Sequence, residues 1–388
     1  MIKKSLQIKK NREFSLLKGH PWLYSEAIKE IPAGLKTGDF VDLYSHKQQW
    51  LATGYVDIDS KILVRTLPLQ QNEPVEAGIC RLIQSAIALR QSFFADRQTD
   101  AYRLINGEGD FLPGLIVDRY GEALSLQIYS LGLDPLMRTI IDQLKIQGIR
   151  WIYQRNQIRL ARQESSRLVF GQKMPEKIIF SENGLKYSTD LINGQKTGFF
   201  LDQRDNRQMI RTLANGKTFL NICGYTGAFT VAATAGKAKS SVTVDTARPA
   251  LAEAEANLAL NGFSTSKHQM VCADMYEFLQ NHKQTYDLVV LDPPSMAKNR
   301  KDSEKAIRAY QKLNICGMKV VKPGGMLFTA SCTSQVSREE FLTAVRDAAT
   351  RIGRQARIVS ESYHAFDHPT SLAHPEGRYL KGLLLRLD

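Results

Sequence analysis

Cys332 stands where a strand-like segment ends, and a thiolate in such a place can act as a nucleophile. An apolar run from Gly324 to Phe328 leads directly into TASCTSQ, in which hydroxyl-bearing residues flank the cysteine. Open α/β sheets bind their ligands beyond the carboxyl ends of their strands, so a thiol there can reach a substrate. A free cysteine also serves as a small buried apolar residue. The local sequence leaves both interpretations open.

A second segment that could take part in binding or catalysis is LDPPSMAK, in which Asp292 precedes two prolines. Paired prolines hold the backbone extended and remove two N–H donors, so we predict a stiff loop whose carbonyl oxygens line a planar ligand. A carboxylate on that loop suits recognition of the edge of a base. Because Cys332 follows the next strand-like segment, we predict that it ends the strand beside the one before Asp292.

Three earlier strand ends carry groups that suit a nucleoside. The segment NICGYTGAF turns at Gly224 and Gly227 before a helix, and glycine there lets the backbone approach a ligand without a Cβ clash. Asp245 ends the second strand and can accept both ribose hydroxyls, while Asp274 ends the third and can accept an adenine amino group. Each carboxylate alone also fits a loop or a helix cap. A full G-x-G-x-x-G fingerprint and a phosphate-loop lysine are missing, which argues against NAD and ATP.

Alternating strands and helices from residue 183 onward position these groups. Helical patterns such as RPALAEAEANLALNG separate the strand candidates, and this rhythm is typical of a doubly wound sheet. We predict an α/β, Rossmann-like domain with a mostly parallel, seven-stranded sheet over residues 183–388. The strand candidates are KTFLNIC, SSVTVDT, HQMVCAD, YDLVVLD, GGMLFTAS, ARIVSES and YLKGLLLRL.

The amino-terminal half predicts smaller modules. Residues 1–72 contain short strand-like runs broken by turn signals, which is typical of a small β-barrel. Residues 73–100 are predicted to form a helical linker, because apolar residues recur near the 3.6-residue period. Residues 101–182 combine the hairpin GLIVDRYGEALSLQIYS with the helix pattern DPLMRTIIDQLKIQG, so we predict a central α+β module.

Composition narrows the compartment and the cofactors. The 388 residues are 43% hydrophobic and 23% charged, which is typical of a globular protein. No apolar run approaches the roughly 20 residues of a membrane helix, and the first residues lack a signal-peptide core, so we expect a cytoplasmic protein without a membrane partner. Five scattered cysteines fit neither disulfides nor a zinc site. The carboxyl-terminal histidines sit in proline-bounded DHP and HPEG segments, and no metal is predicted.

The charge balance is compatible with a polyanionic partner. The chain has 52 Lys and Arg against 39 Asp and Glu, a net charge of +13. Cations concentrate from Lys145 to Lys177, interleaved with Trp151 and Tyr153, and this mixture suits phosphate contacts and base stacking. A solvated charged face is the alternative. The candidates for RNA binding in this strip are Arg155, Arg159 and Arg162.

Taken together, these segments resemble a known family. The pattern of Asp245, Asp274 and Asp-Pro-Pro looks like a class I S-adenosylmethionine-dependent methyltransferase. More specifically, the chain resembles over nearly its whole length the RlmI (YccW-like) family of bacterial large-subunit ribosomal RNA cytosine C5-methyltransferases. LLKGHPWLYSEAI and GLKTGDFVDLY resemble that family's RNA-binding PUA domain, FLPGLIVDRYG its central module, and NGQKTGFFLDQRDNR the start of its catalytic domain. NICGYTGAFT, VDTARPAL, LDPPSMAKNRK, SCTS and DHPTSLAHPEGRYLKGLLLRL follow in family order.

The resemblance implies S-adenosyl-L-methionine as cofactor and large-subunit ribosomal RNA as partner. It also implies that Cys332 adds to C6 of a cytosine while Asp292 holds the base edge, with Lys298 as a further RNA-binding candidate. The thiol is then expected in a partly exposed, electropositive setting, because the thiolate is the attacking form. Ser295 stands where two-cysteine enzymes have a second cysteine, so the base that removes the C5 proton is unassigned. The implied cofactor-binding residues are Phe199, Gln203, Arg204, Asn221, Gly224, Tyr225, Thr226, Gly227, Asp245, Asp274 and Asp292.

Several alternatives stay open at the level of sequence. The guanine N7 family RlmK resembles this domain through LDQR and Asp-Pro-Pro, but it has asparagines where this chain has Ser331-Cys332. Uridine C5-methyltransferases share an Asp-Pro-Pro and a serine-cysteine pair and resemble the chain only there. A non-catalytic RNA-binding assembly factor would keep the fold, although the intact aspartates argue against it. The sequence also leaves a homodimer open.

Overall fold

The computed structural model describes residues 3–146, 148–155, 166–194, 198–297 and 299–388. The chain divides into two compact units. The first unit comprises Met1–Ser181, Thr189–Leu201 and Phe366–Gly377, and the second unit comprises Glu182–Ser188, Asp202–Ala365 and Arg378–Asp388. Two segments of the carboxyl-terminal half therefore belong to the first unit, although the sequence predicts one domain over residues 183–388. The finer division at residues 72 and 100 stays a proposal.

The first unit opens with a five-stranded sheet. Its strand order is β1-β3-β4-β5-β2, in which β1 and β3 are parallel and the other pairs are antiparallel. Alternate residues such as Val41 and Leu43 point into a core, which gives these short strands one buried face. The elements are β1 (Lys3–Gln7), α1 (Phe14–Leu17), β2 (Trp22–Tyr24), β3 (Phe40–Tyr44), β4 (Trp50–Val56) and β5 (Ile62–Leu67).

A second five-stranded sheet follows in the first unit, with the order β10-β9-β8-β7-β6. Tyr120 pairs with Ala123, so the predicted hairpin turns where the sequence indicates. The helix α2 buries Ile79, Leu82 and Ile83 in the core of this sheet, as its 3.6-residue period predicts. The elements are α2 (Val75–Phe93), β6 (Ala101–Asn106), β7 (Leu115–Tyr120), β8 (Ala123–Ile128), α3 (Met137–Leu144), β9 (Trp151–Arg155) and β10 (Ser166–Phe170), with β11 (Ile178–Glu182) and β12 (Leu185–Thr189) next along the chain.

The second unit is built around a seven-stranded sheet. The strand order is β15-β14-β13-β16-β17-β19-β18, with β19 antiparallel to both neighbours and the remaining pairs parallel, which confirms the predicted fold class. The elements are α4 (Arg204–Leu213), β13 (Thr218–Ile222), α5 (Ala228–Ala235), β14 (Ser240–Asp245), α6 (Arg248–Leu260), β15 (His268–Cys272), α7 (Met275–Asn281), β16 (Tyr286–Leu291), α8 (Ser303–Lys319), β17 (Val321–Ser331), α9 (Arg338–Arg351), β18 (Ala356–Ser362) and β19 (Lys381–Leu387).

The central strands of this sheet are apolar without alternation. Leu288, Val289, Val290 and Leu291 of β16 are all fully buried, because helices cover both faces of a parallel sheet. Since β13 to β17 are parallel, their carboxyl ends lie along one edge, where ligands of such sheets bind. Among the helices of the described ranges, none combines the length and the apolar character needed to cross a membrane.

Candidate active site

The loop after β13 follows an unusual backbone path that Asp245 stabilises. Cys223 and Tyr225 have φ values of 58° and 47°, in the left-handed region that few non-glycine residues adopt. Asp245 Oδ2 accepts the Tyr225 N–H at 2.9 Å, and Oδ1 accepts the Ala247 N–H at 2.9 Å. A carboxylate offers about four acceptor positions, so two of them are left for the ribose hydroxyls that the sequence assigns to Asp245.

The two glycines of this loop are required by internal packing. Gly227 has a φ of 73°, and a Cβ there would lie 2.5 Å from the Ala254 Cβ on α6. At Gly224 a Cβ would lie 2.4 Å from Thr243 Cγ2 on β14. Internal packing alone therefore requires glycine at both positions, because protein atoms already occupy the space that a Cβ would take. The approach of a ligand to this backbone stays a prediction.

Two other predicted cofactor residues, Asn221 and Thr226, make buried hydrogen bonds that stabilise the loop after β13. Asn221 is fully buried and donates from Nδ2 to Thr230 Oγ1 at 3.0 Å. Thr226 is also buried, and its carbonyl oxygen accepts Asn257 Nδ2 at 3.0 Å. Both contacts hold the loop against neighbouring helices, so the structure gives these residues a supporting position.

Asp274 caps the helix α7. Its Oδ1 accepts the backbone N–H groups of Tyr276 and Glu277 at 2.8 and 3.1 Å, and its side chain is exposed. The helix-cap interpretation is thus what the described contacts show. Binding of an adenine amino group through the other oxygen stays a prediction.

The carboxylates of the three strand ends surround one thiol. Burial, together with the negative charges of Asp245, Asp292 and Asp274, raises the pKa of Cys223 to about 12. A thiol that stays protonated at neutral pH is a weak nucleophile, so Cys223 packs and does not attack.

Asp292 is held by a side chain that precedes α4. Gln203 Nε2 donates to Asp292 Oδ1 at 2.9 Å, and Asn206 Nδ2 donates to Gln203 Oε1. The sequence assigns Gln203 and Arg204 to the carboxylate of the cofactor. In the structure Gln203 already binds the Asp292 carboxylate, and the buried Arg204 guanidinium lies 3.8 Å from Asp205 Oδ1.

Cys332 lies beside the Asp-Pro-Pro loop. β16 and β17 are parallel, with Leu291 opposite Thr329, so both chains leave the sheet side by side. Cys332 Sγ is 3.9 Å from the Pro293 carbonyl oxygen, and the side chain is half-buried. The structure therefore brings the candidate nucleophile next to the loop of Asp292.

Thr333 connects the two loops. Its Oγ1 accepts the Met296 N–H at 3.0 Å and lies 2.7 Å from the Tyr310 hydroxyl. Ser295 Oγ lies 3.4 Å from the same oxygen, so the counterpart of the second cysteine of two-cysteine enzymes contacts the residue after Cys332. Burial raises the pKa of Tyr310 to about 12, which keeps this phenol neutral.

Lys381 also contacts the loop that carries Cys332, and the sequence analysis missed it. This residue begins β19 and pairs with Ser331 of β17. Its Nζ donates to the carbonyl oxygens of Thr333 and Val336 at 2.8 and 2.7 Å, and the residue is 6% exposed. The lysine at the start of the apolar strand KGLLLRL is the signal that could have identified it.

The cation-rich segment from Lys145 to Lys177, the basic strip, departs from its predicted role in one respect. Trp151 and Tyr153 are 9% and 7% exposed, because β9 lies inside its sheet between β8 and β10. Trp151 also carries the Arg150 guanidinium 4.6 Å from its ring centroid. The prediction that these two rings stack on bases is therefore wrong.

The cations of the RNA-binding prediction are only partly described. Arg155 Nη2 donates to the Gly194 carbonyl oxygen at 2.8 Å in the first unit. Arg159, Arg162 and Lys298 lie outside the described residues. Their assignment to RNA stays a prediction.

Phe199 belongs to the first unit, where its ring is buried. The centroid of its ring lies 5.0 Å from that of Phe180, and its carbonyl oxygen accepts the Tyr120 hydroxyl at 3.3 Å. These contacts account for its burial. Packing on the cofactor stays a prediction.

A histidine cluster in the first unit was not foreseen. Ligand atoms of His20, His374 and Glu376 lie within 4.8 Å of one another. The Trp22 N–H donates to His20 Nδ1 at 3.3 Å, which places the proton of the neutral ring on Nε2, 3.5 Å from Glu376 Oε1. A proton, and not a lone pair, then faces the carboxylate.

Comparison with known proteins defines the class. Residues 136–354 match the family model of S-adenosylmethionine-dependent methyltransferases, and residues 6–68 match that of PUA-like domains. The methyltransferase SMU.776, solved in complex with SAH, has a TM-score of 0.86 at 26% identity and covers 100% of both chains. A SAM-dependent methyltransferase from Streptococcus mutans has a TM-score of 0.85 at 24% identity over 99% of this chain and 100% of its own. Fold and site thus define a SAM-dependent methyltransferase, with S-adenosyl-L-methionine as cofactor.

Curated relatives then identify the family. The proteins named ribosomal RNA large subunit methyltransferase I from Tolumonas auensis and Shewanella denitrificans are each 36% identical over 98% of this chain and 99% of their own. The protein of that name from Vibrio vulnificus is 34% identical over 99% of both chains. The chain belongs to the ribosomal RNA large subunit methyltransferase I family. The resemblance and the cofactor that the sequence predicts are confirmed.

Proposed function

We propose that this protein transfers a methyl group from S-adenosylmethionine to C5 of a cytosine in large-subunit ribosomal RNA, through a covalent bond between Cys332 and C6. The names of the relatives support the class of RNA. The observation that carries the C5 chemistry is the contact of 3.9 Å between Cys332 Sγ and the Pro293 carbonyl oxygen, directly after Asp292. A ring-nitrogen acceptor such as guanine N7 requires no thiol beside the base.

The first step activates the base. C5 of a pyrimidine is too weak a nucleophile to accept a methyl group unaided. The Cys332 thiolate forms a bond to C6, and the electron pair of the C5–C6 double bond makes C5 nucleophilic. Asp292 binds the edge of N3 and the exocyclic amino group. A proton that its carboxyl group donates to N3 neutralises the negative charge that thiolate addition places on the ring, and this proton returns to Asp292 when the thiolate leaves. The cofactor, when bound, supplies the methyl group as a substituent of a positively charged sulfur.

The second step restores the aromatic ring and the enzyme. After transfer, C5 carries both the methyl group and its original proton. A base removes that proton, the electron pair reforms the C5–C6 double bond, and the Cys332 thiolate leaves. Thr333, which accepts the Met296 N–H, keeps the cysteine and the Asp-Pro-Pro loop at a fixed separation throughout.

The described residues fit the cofactor in two places. Asp245 has acceptor capacity left beyond its two backbone partners, which suits the ribose hydroxyls. Asp274 is exposed at the end of β15, which suits the adenine amino group. These assignments are part of the proposal, as is RNA binding by the basic residues Arg155, Arg159, Arg162 and Lys298.

RNA that carries 5-fluorocytosine tests the covalent mechanism. Fluorine cannot leave C5 as a proton does, so the wild-type protein is expected to stay attached to the RNA after methylation. Cys332→Ala is expected to bind the cofactor in calorimetry and to form no such complex. Cys223→Ala, which changes the thiol at the end of β13, is the matched control and should cross-link as the wild type does. Full turnover by Cys332→Ala would overturn the mechanism and favour the guanine N7 alternative.

A further inference from the structure

We propose that Lys381 is a positioning residue whose ammonium group stabilises the thiolate of Cys332. This inference rests on the proposed function, because only a nucleophilic cysteine needs its thiolate form. It adds a cation on the antiparallel strand β19 to the catalytic loop.

Backbone geometry fixes the place of the ammonium group. Lys381 pairs with Ser331, the residue before Cys332. Its Nζ donates to the carbonyl oxygens of Thr333 and Val336, which follow the cysteine. The lysine therefore spans the turn in which Cys332 sits. Two hydrogen bonds of 2.8 and 2.7 Å to main-chain oxygens leave its long side chain little freedom.

The end of this turn is also fixed. Ser337 caps α9, since its hydroxyl oxygen accepts the Glu340 N–H at 3.1 Å and Glu340 Oε2 accepts the Ser337 N–H at 2.7 Å. The turn from Cys332 to Ser337 thus runs from a sheet strand to a capped helix. An ammonium group held inside such a turn is fixed in position relative to the thiol.

The charge of Lys381 lies in a buried position, where a charge without a nearby anion is energetically unfavourable. The side chain is buried, and two carbonyl dipoles do not neutralise a full charge. Burial lowers the pKa of Lys381 to about 8, whereas the negative charge of Cys332 raises it. This interaction is mutual, so a thiolate that favours the charged lysine is itself favoured by the lysine to the same extent.

Among the residues that the structure describes, the titratable groups that act on this pair are Glu340, Asp292 and Tyr310. Glu340 on α9 favours the charged form of Lys381. Asp292 on the loop after β16 is engaged by Gln203, and the phenol of Tyr310 on α8 is neutral because its pKa is about 12. Within this described set Lys381 supplies the positive charge that a thiolate requires.

Alkylation of Cys332 by iodoacetamide, followed for this residue by peptide mass spectrometry as a function of pH, tests the inference without RNA or cofactor. In Lys381→Met the profile is expected to move upward by about one pH unit, so alkylation at pH 7 slows about tenfold. The rates of variant and wild type should converge at high pH, where both thiols are ionised. A loss of access alone would instead slow the reaction at every pH and would overturn the inference.

Two further variants control for structural damage. Lys322→Met removes a lysine of β17 that binds Asp287 at 2.9 and 3.0 Å, and its Cys332 profile should match the wild type. Lys381→Arg keeps the charge and is expected to keep the wild-type midpoint. If Lys381→Met fails to fold, the wild-type profile decides, because a midpoint at or above the roughly 8.5 of a free cysteine would overturn the inference.

The failure of this inference and the failure of the proposed function give different results. Turnover by Cys332→Ala would remove the nucleophile and leave the alkylation shift as measured. An unshifted profile in Lys381→Met, combined with an inactive Cys332→Ala, would remove the role of Lys381 alone.

Discussion

Gln203 Nε2 lies 2.9 Å from Asp292 Oδ1, and the other end of the Gln203 amide accepts a hydrogen bond from Asn206. Because Asn206 donates to the amide oxygen, the amide nitrogen must face the carboxylate. Asp292 is thereby held in one orientation before a base arrives. Groups oriented in advance need little reorganisation during a reaction, so this pair of contacts suits the base-binding role proposed for Asp292.

Gln203→Leu is expected to lower the single-turnover rate of methyl transfer about tenfold or more. The variant removes a hydrogen bond to a charged group, which contributes roughly 1.5 to 3 kcal/mol. Gln208→Leu, on the exposed side of α4, is the control. If the rate is unchanged while cofactor affinity falls in calorimetry, Gln203 binds the cofactor as the sequence predicts and does not hold Asp292.

Asp245→Ala is expected to weaken S-adenosylmethionine binding by roughly 1.5 to 3 kcal/mol, as measured by calorimetry. The variant removes the acceptor of the Tyr225 N–H, which is also the proposed acceptor of the ribose hydroxyls. Asp347→Ala on α9 is a control carboxylate away from the strand ends. Unchanged affinity in a folded Asp245→Ala protein would remove this residue from the cofactor site.

Replacing the three candidate arginines of the basic strip by Ala should weaken RNA binding and flatten its dependence on salt concentration, with cofactor affinity unchanged. Each lost phosphate contact reduces the number of counterions released on binding. An unaltered salt slope would favour a solvated charged face. The strip variant changes Arg155, Arg159 and Arg162, and the control variant changes the exposed Arg308, Arg346 and Arg357.

Asp287 makes the stability of the second unit depend on pH in acid. Burial alone would raise its pKa, but the hydroxyl and N–H of Thr218 and the Lys322 ammonium lower it to about 2. Because this value lies below the ordinary 3.8, the stabilisation is complete above about pH 4 and is lost as the pH falls toward 2. Asp287→Asn should lower the free energy of unfolding in urea by about 1 to 2 kcal/mol at pH 6, since partial exposure weakens the pair.

Urea unfolding of wild type and Asp287→Asn at several pH values tests whether the charge of Asp287 is responsible. The difference between wild type and Asp287→Asn should shrink steadily between pH 4 and pH 2. A difference that stays constant over this window would show that the carboxylate contributes through packing and not through its charge.

The sequence predicted the strands of the second unit well, because most of them are short apolar runs that can be recognised from their local sequence. YDLVVLD is a continuous apolar run bounded by an acidic residue, and it forms β16 nearly as predicted. In contrast, β1 contains two lysines and pairs in parallel with the distant β3, so its local pattern carries little signal. β2 has only three residues, Trp22–Tyr24, and depends on its pairing with β5.

The missed and wrong parts of the site share one physical cause. Lys381 obtains its role from the carbonyl oxygens of Thr333 and Val336, which lie far away along the chain. Trp151 and Tyr153 were expected to face RNA because of neighbouring cations, yet composition does not reveal which face of a strand is buried. Such features depend on tertiary pairing, which a single sequence does not specify locally.

The segment Phe366–Gly377 belongs to the first unit, so this unit needs residues that are synthesised after most of the second unit. The fully buried Arg90 binds Asp110 and also donates to the Asp367 carbonyl oxygen at 2.8 Å, while the Arg103 N–H donates to Asp367 Oδ2 at 2.8 Å. A nascent chain lacks these acceptors until Asp367 has left the ribosome. The first unit therefore completes its folding only after Asp367 has emerged, and a nascent chain halted before that residue should expose its amino-terminal half to protease.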